Sequence, residues 1–214
     1  MLQCTPTLAH EETLWQQGFR AVVGVDEAGR GALAGPVVAG AAIIPPFCVL
    51  EGIWAAVRDS KQLAPARRAA LALEIMAQTL AWGVGVVSAA EIDAVGIAPA
   101  TRTAMLLAVE MAAQSAPQGA QPDYLLIDWV RLPMLALPQQ SLIKADATIV
   151  SVAAASILAK VHRDTLLCAC DADFPAYGFA AHKGYGTAAH LAALAAHGPC
   201  ALHRRTFAPL KDSG

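Results

Sequence analysis

Charge is scarce in this sequence. Asp, Glu, Lys and Arg make up 15% of its 214 residues, the formal net charge is -2, and aromatic residues account for 6%. So little charge excludes a disordered or polyelectrolyte chain, which needs high net charge and low hydrophobicity. It also means that any nucleic-acid surface must gather its basic residues on one face. A Cys-x-x-Cys pair is missing. The five cysteines, at 4, 48, 168, 170 and 200, are odd in number, and the two-apart pair 168/170 is poor zinc spacing. They read as reduced thiols, and the start of the chain lacks the basic and apolar regions of a signal peptide, so a cytoplasmic protein is expected. Long linkers, repeats and low-complexity tracts are also lacking. The uncharged stretch 31–50 has the length of a membrane span. It is broken by Gly31, Gly35, Pro36, Gly40 and the Pro45-Pro46 pair, which suits a buried strand and not a spanning helix.

What is abundant is apolar: 56% of the residues are hydrophobic, enough for a sizeable core. Ala21–Val25, Val37–Ile44, Trp82–Ser88 and Tyr124–Ile127 read as strands, with a short fifth at Ser141–Ile143. Helical spacing covers Ala66–Leu80, with Arg67 and Arg68 on the polar face, then Thr101–Gln114 and the Ala-rich Val150–Cys170. Thr187 is placed to cap a helix that stops near Gly198-Pro199. Early strands with helices interleaved predict an α/β fold, a mixed sheet flanked by helices. The whole chain, 1–214, reads as one domain, with about 178–214 as a C-terminal helical extension.

Acids stand at the ends of the apolar strands. Asp26 and Glu27 close the first, Asp128 closes Leu125-Leu126-Ile127, and Asp146 precedes the long helix. Acids at strand exits can simply be solvated. If these four converge, they cannot all stay ionised without counter-cations. Hard carboxylate oxygens then favour Mg²⁺ or Mn²⁺ over Zn²⁺, and two such ions ~3.5–4 Å apart would clamp the attacking and leaving oxygens of a phosphodiester.

Gly29, Arg30 and Gly31 follow the acidic pair at once. Glycines let a backbone approach a sugar–phosphate closely, and arginine grips phosphate. The spacing Gly29-x-Gly31-x-x-x-Gly35 is off by one from a dinucleotide fingerprint and no helix follows, so a tight turn is the competing reading. Lys61, Lys144, Lys160, Arg163, Lys183, Arg204 and Arg205 are, one by one, ordinary surface charges. Together they could form the phosphate-binding face that the net charge conceals. Tyr185, between Gly184 and Gly186 and near Lys183, can pack on a sugar or base, or simply on the protein.

These blocks resemble bacterial ribonuclease HII. The resemblance lies in Val23–Gly31 with Gly35-Pro36-Val37-Val38, in Asp59-Ser60-Lys61, in Ile127-Asp128 and in Lys144-Ala145-Asp146 with Ala153–Val161 and Arg163-Asp164. It continues through Tyr177-Gly178-Phe179, His182–Thr187 and His203–Phe207, covering 20 to about 210 in the family's order. It implies a ribonuclease H-like five-stranded mixed sheet, with Asp26, Glu27, Asp128 and Asp146 as catalytic, metal-binding acids. It further implies that Gly29, Arg30 and Gly31 sense the ribose 2′-hydroxyl and that Tyr185 packs on the deoxyribose 3′ of the ribonucleotide; of the basic residues, Lys61 and Lys183 are expected to serve substrate binding. The implied substrates are RNA–DNA hybrids and duplex DNA carrying single ribonucleotides, cut 5′ of the ribonucleotide to leave 3′-hydroxyl and 5′-phosphate ends, by a chain expected to be a monomer. The sequence departs from the family at Trp129 and Val130, where glycine and asparagine are usual, and at Ala145, where glycine is frequent. Other readings are a different nuclease or strand transferase on the same fold, or a non-catalytic hybrid-binding protein; retention of all four acids argues against the last.

Overall fold

The computed structural model describes residues 5–58 and 60–210; Cys4 and Asp59, both singled out above, and residues 211–214 lie outside the described residues. Five strands, β1 (Val22–Ala28), β2 (Val37–Ile43), β3 (Ala81–Val87), β4 (Tyr124–Asp128) and β5 (Gln139–Leu142), form one sheet in the order β3-β2-β1-β4-β5. β1 runs antiparallel to β2, and β2 to β3, whereas β1–β4 and β4–β5 are parallel. The mixed, helix-flanked sheet is as expected. The strand ends fall within a few residues of the sequence reading, and the long helix spans Val150–Cys170 as expected.

β1 and β2 are apolar at nearly every position because both faces of the sheet are covered. α6 (Val150–Cys170) packs with α3 (Pro65–Gln78) over one face, burying Val22, Ala42 and Leu126. α5 (Ile97–Ser115) covers the other, burying Val23, Val25, Ala41 and Ile127. The helices lie directly on the strands. A Cβ added to Gly24 would meet the Ser151 carbonyl carbon at 2.1 Å, and one at Gly40 the Ala155 oxygen at 2.2 Å. Ala153, Ala154 and Ala155 complete this close contact, and all are fully buried. The alanine content that favours helix also sets the helix–sheet distance.

Three short helices were not foreseen: α1 (Ala9–Gln16), α2 (Gly52–Ala56) and α4 (Ala89–Val95). Each is too short for a helical period to stand out. α4 did carry a readable start, since Ser88 and Glu91 form a reciprocal capping box. α1 is held by tertiary contacts. Trp15 and Leu14 are buried, and the Glu11 carboxylate accepts the Ser151 N–H at 2.8 Å, capping α6 from 140 residues away. Burial pushes the Glu11 carboxyl up, and that hydrogen bond opposes the shift.

The two arginines of α3 separate. Arg67 is exposed and pairs with Glu74 at 3.2 Å. Arg68, expected on the polar face, is buried; it donates to the Ser60 and Leu63 carbonyls, each at 2.8 Å, and lies 3.4 Å from Asp164. Consecutive helical residues are about 100° apart, so one of the pair can face inward if buried acceptors meet it. α7 (Phe179–His182) and α8 (Ala188–His197) complete the chain around a separate small core of Leu33, Leu167, Tyr177, Phe179 and Leu194. Thr187 caps α8, accepting the His190 N–H, and Gly198 ends the helix with φ +68°. No helix among the described residues is long and apolar enough to cross a membrane. The uncharged stretch 31–50 forms a turn followed by β2.

Candidate active site

The sheet register brings the first acids together. Val25 pairs with Ile127 across the parallel β1–β4 ladder, so the next residues, Asp26 and Asp128, are neighbours at adjoining strand ends. Side chains alternate along a strand. Asp26 and Asp128 therefore share the α6 face with Gly24 and Leu126, while Glu27 emerges on the α5 side. Asp146 sits in a 3-10 turn, Ala145–Ala147, leading into α6. This is the crevice at the carboxyl ends of parallel strands where α/β sheets usually bind ligands.

Asp26, Glu27 and Asp128 line one cleft of about 490 Å³, together with Gly29, Arg30, Gly31, Ser60, Lys61, Ser156, Lys160 and Tyr185. Asp146 is buried just beyond it and accepts an ion pair from Lys61 Nζ at 3.3 Å. Burial, then the charges of Glu27 and Asp128, raise the Asp26 carboxyl well above the usual carboxylate range. Burial also raises Glu27 and Asp128; the Trp129 indole and the Ala145 N–H work against these shifts. Mutual repulsion of this kind marks a functional site more often than a structural one.

Each carboxylate meets a protein donor. Asp26 accepts the Glu27 N–H at 2.7 Å and a hydrogen bond from Ser156, whose hydroxyl lies 3.0 Å from Ser60. Asp128 accepts the Ala145 N–H at 2.8 Å. Both Glu27 oxygens accept Trp129 Nε1–H, at 3.0 and 2.9 Å. Among the described residues no group of three or more His, Cys, Asp or Glu side chains is in position to hold one ion together. The expected convergence thus takes the form of an electrostatically coupled cluster, with each acid held by its own donor. The donor set fits a hard divalent cation nevertheless. It is all carboxylate oxygen, it is crowded with like charge, and each carboxylate has about four lone-pair sites, of which these bonds use only some.

The basic residues divide. Lys160, on α6 one turn after Ser156, lines the cleft and pairs with Asp164 at 2.8 Å. Lys183 does not line it: its ammonium donates to the Ala180 carbonyl, and it borders a different depression with Arg68 and Asp164. Arg163 and Arg204, expected on a phosphate-binding face, are fully buried. Arg204 donates to the carbonyls of Gly29, Arg30 and Gly35 at 2.8, 2.9 and 3.0 Å. Arg163 donates to those of Ala34, Pro36 and Lys183 at 2.9–3.0 Å. The loop from 29 to 36 is therefore wound around two planar forks, a geometry that lysine cannot supply. Gly29 has φ +88°, and a Cβ there would sit 1.9 Å from Arg163 Nε. Arg30 instead points to the cleft, its guanidinium 3.8 Å from the Trp129 ring centre. Tyr185 lies near two cations, Lys160 and Arg163, each 5.2 Å from the ring centre.

Three side chains were not named as site residues from sequence, Ser60, Ser156 and Trp129; Lys160 was named only among the basic residues. Ser156 and Lys160 carried a signal, since residues four apart share a helix face. Ser60 reaches the cleft from a 3-10 turn, and Trp129, just after β4, contacts the lining residues Glu27 and Arg30.

Behind Tyr185 runs a histidine relay. The Cys200 N–H donates to His203 Nδ1 at 3.0 Å, so His203 carries its proton on Nε2. That proton faces His190 Nε2 at 3.0 Å, and His190 Nδ1 in turn meets the Tyr185 carbonyl at 3.0 Å. The chain closes only if both rings are neutral. Burial and the neighbouring histidine push His203 down to about 4, and burial lowers His190. A depressed histidine contributes stability above its unfolded value of 6.5, and that contribution is lost as pH falls through about 4. Wild type should therefore lose melting temperature between pH 6.5 and 4 relative to His203→Gln, which has no proton to gain. Parallel melting curves of the two proteins would exclude the relay as the cause.

A mixed sheet in this order, with acids at the ends of its central parallel strands, defines a nuclease of the ribonuclease H fold. The ribonuclease H2 of Pyrococcus horikoshii superposes with a TM-score of 0.67 at 26% identity, covering 89% of this chain and 95% of that one. Bst-RNase HIII, solved in complex with Mn²⁺, shares the fold with a TM-score of 0.69 at 23% identity, over 93% and 70% of the two chains. Residues 23–210 match the ribonuclease HII family. Ribonuclease HII of Dehalococcoides mccartyi is 51% identical over 208 residues, 97% of this chain and 95% of the relative. The chain belongs to the ribonuclease HII family and is an endoribonuclease of the ribonuclease H type, acting on RNA–DNA hybrids.

Proposed function

We propose that the chain hydrolyses RNA in hybrids and also cuts 5′ of single ribonucleotides embedded in duplex DNA, leaving 3′-hydroxyl and 5′-phosphate ends. The observation that carries this is the joint lining of one cleft by Asp26, Glu27 and Asp128 together with Gly29, Arg30, Gly31 and Tyr185. Asp26, Glu27, Asp128 and Asp146 would hold the cations, two Mg²⁺ or Mn²⁺. When bound, these supply activation of the attacking water and neutralisation of charge developing on the phosphate.

The chain's own residues supply recognition. A Cβ at Gly31 would meet nothing within 4 Å, so the protein itself does not require glycine there, and the open side suits close approach of a ribose and its 2′-hydroxyl. Lys61 and Lys160 bring positive charge to the acid edge, where a phosphate must approach against carboxylates. Lys183 would touch substrate outside the cleft. We take the chain to act as a cytoplasmic monomer, as one catalytic domain with a C-terminal helical extension.

The test is cleavage mapping on a duplex carrying one ribonucleotide, in Mg²⁺ and then Mn²⁺, beside a continuous hybrid. A single cut 5′ of the ribonucleotide is expected; a protein that cuts the hybrid and leaves the lone ribonucleotide intact lacks the finer specificity. Tyr185→Ala should cost more on the single-ribonucleotide duplex than on the hybrid. Ring packing is worth ~1–3 kcal/mol, about a tenfold to hundredfold loss in kcat/KM. Equal losses on both substrates would mean that Tyr185 only supports the loop.

A further inference from the structure

We propose that Trp129 is a positioning residue that couples the acid cluster to the substrate-reading loop, holding Glu27 with its indole N–H and Arg30 with its ring face. The proposal rests on the reading of Glu27 as a metal-binding acid. Trp129 immediately follows Asp128 and has a left-handed backbone, φ +50°. That conformation costs a bulky residue energy that glycine would not incur. It is held by the surroundings: Trp129 N–H donates to the Leu142 carbonyl at 2.9 Å, and the Val130 N–H to that of Asp128 at 2.7 Å. Strain kept beside a charged cluster points to a role for the side chain that the turn displays.

The side chain has two partners, and both line the cleft. Indole has a single donor and no acceptor. Here that donor lies almost equally far from both Glu27 oxygens, at 3.0 and 2.9 Å, so it occupies the edge between them. The carboxylate is oriented, its bidentate edge is taken, and the outer lone pairs remain for a cation. This suits an ion such as Mg²⁺ or Mn²⁺ that accepts one oxygen per carboxylate. The opposite use is made of the ring. The Arg30 guanidinium sits 3.8 Å from its centre, close enough for a cation–π contact. Arg30 belongs to the loop that Arg204 anchors from behind through its Arg30 carbonyl bond at 2.9 Å. One indole thus fixes the charged tip of the loop relative to the acid beside it.

The two halves can be separated. Trp129→Phe keeps a ring for Arg30 and removes the N–H; Trp129→Ala removes both. Calorimetric titration of the intact protein with Mn²⁺, without substrate, should show affinity about tenfold weaker in both variants, the usual scale for losing a group that orients a metal ligand. Steady-state kinetics on an RNA–DNA hybrid at saturating Mn²⁺ should then split them. KM stays within about twofold of wild type in Trp129→Phe and rises about two- to fivefold further in Trp129→Ala, the range of an exposed cation–π contact. Unchanged Mn²⁺ affinity in Trp129→Phe overturns the proposal, and so does a fall in melting temperature alone with affinity and KM unmoved. If wild type itself bound no Mn²⁺, the reading of the acid cluster would fail instead, which keeps the two failures distinct.

Discussion

Asp26→Asn should lower kcat on an RNA–DNA hybrid by roughly a thousandfold or more, about 4 kcal/mol of barrier, while raising the melting temperature. Both effects have one cause. Asp26 is buried among carboxylates, with Glu27, Asp128 and Asp146 all disfavouring its charge. Asparagine keeps the shape, and its carbonyl oxygen can still accept the Glu27 N–H and the Ser156 hydroxyl. What disappears is the central negative charge, and with it both the repulsion that destabilises the fold and the attraction that would draw a cation. Functional sites commonly trade stability for activity in this way. Hybrid binding measured without divalent metal should be equal or tighter, since less negative charge faces the phosphates. A variant that cuts near the wild-type rate would remove Asp26 from the centre. One that melts below wild type would show that its charge is compensated in the folded protein.

Arg204→Met should lower the melting temperature by about 10 °C, from several kcal/mol at ~2–4 °C per kcal/mol for a chain of this size. It should also cut kcat/KM at least tenfold. Methionine roughly fills the space of the aliphatic stem and removes the fork. The carbonyls of Gly29, Arg30 and Gly35 then lose their donors, at ~1–3 kcal/mol for each buried acceptor left unsatisfied. The same carbonyls shape the loop that carries Arg30 and Gly31 into the cleft, so activity should fall beyond what the loss of folded protein explains. Assays well below the melting transition separate the two effects. Arg204→Lys should recover little, because one ammonium cannot reproduce three fixed directions. If Arg204→Met melts with wild type, water has replaced the guanidinium and the loop does not depend on it.

Much of this was legible along the chain. An apolar run ending in acid gave β4 its limit, whereas β1 runs on through Asp26 and Glu27 to Ala28, three residues past the apolar run. Thr187 and Gly198 bounded α8 through capping chemistry that is local by nature. The short helices were harder to read, because α1 is held by Trp15 and by a cap on α6 that lies 140 residues away. The basic residues were hardest. Arg68, Arg163 and Arg204 look like surface charges in sequence, yet their partners, Asp164 beside Arg68 apart, are carbonyls, which every residue possesses and no pattern marks.

By itself the sequence determined the strand and helix types, the four acids at element ends and the glycine–arginine turn beside them. Each depends on neighbours within a few residues, and local periodicity and backbone sterics act at that range. Only the tertiary structure decided that Asp26 and Asp128 are side by side through the parallel register, that Trp129 bridges Glu27 and Arg30, and that Lys183 lies outside the cleft. It also decided that two arginines serve the loop from within. These outcomes depend on which carbonyls and side chains meet across the sheet, and a buried charge takes whatever acceptors packing brings to it.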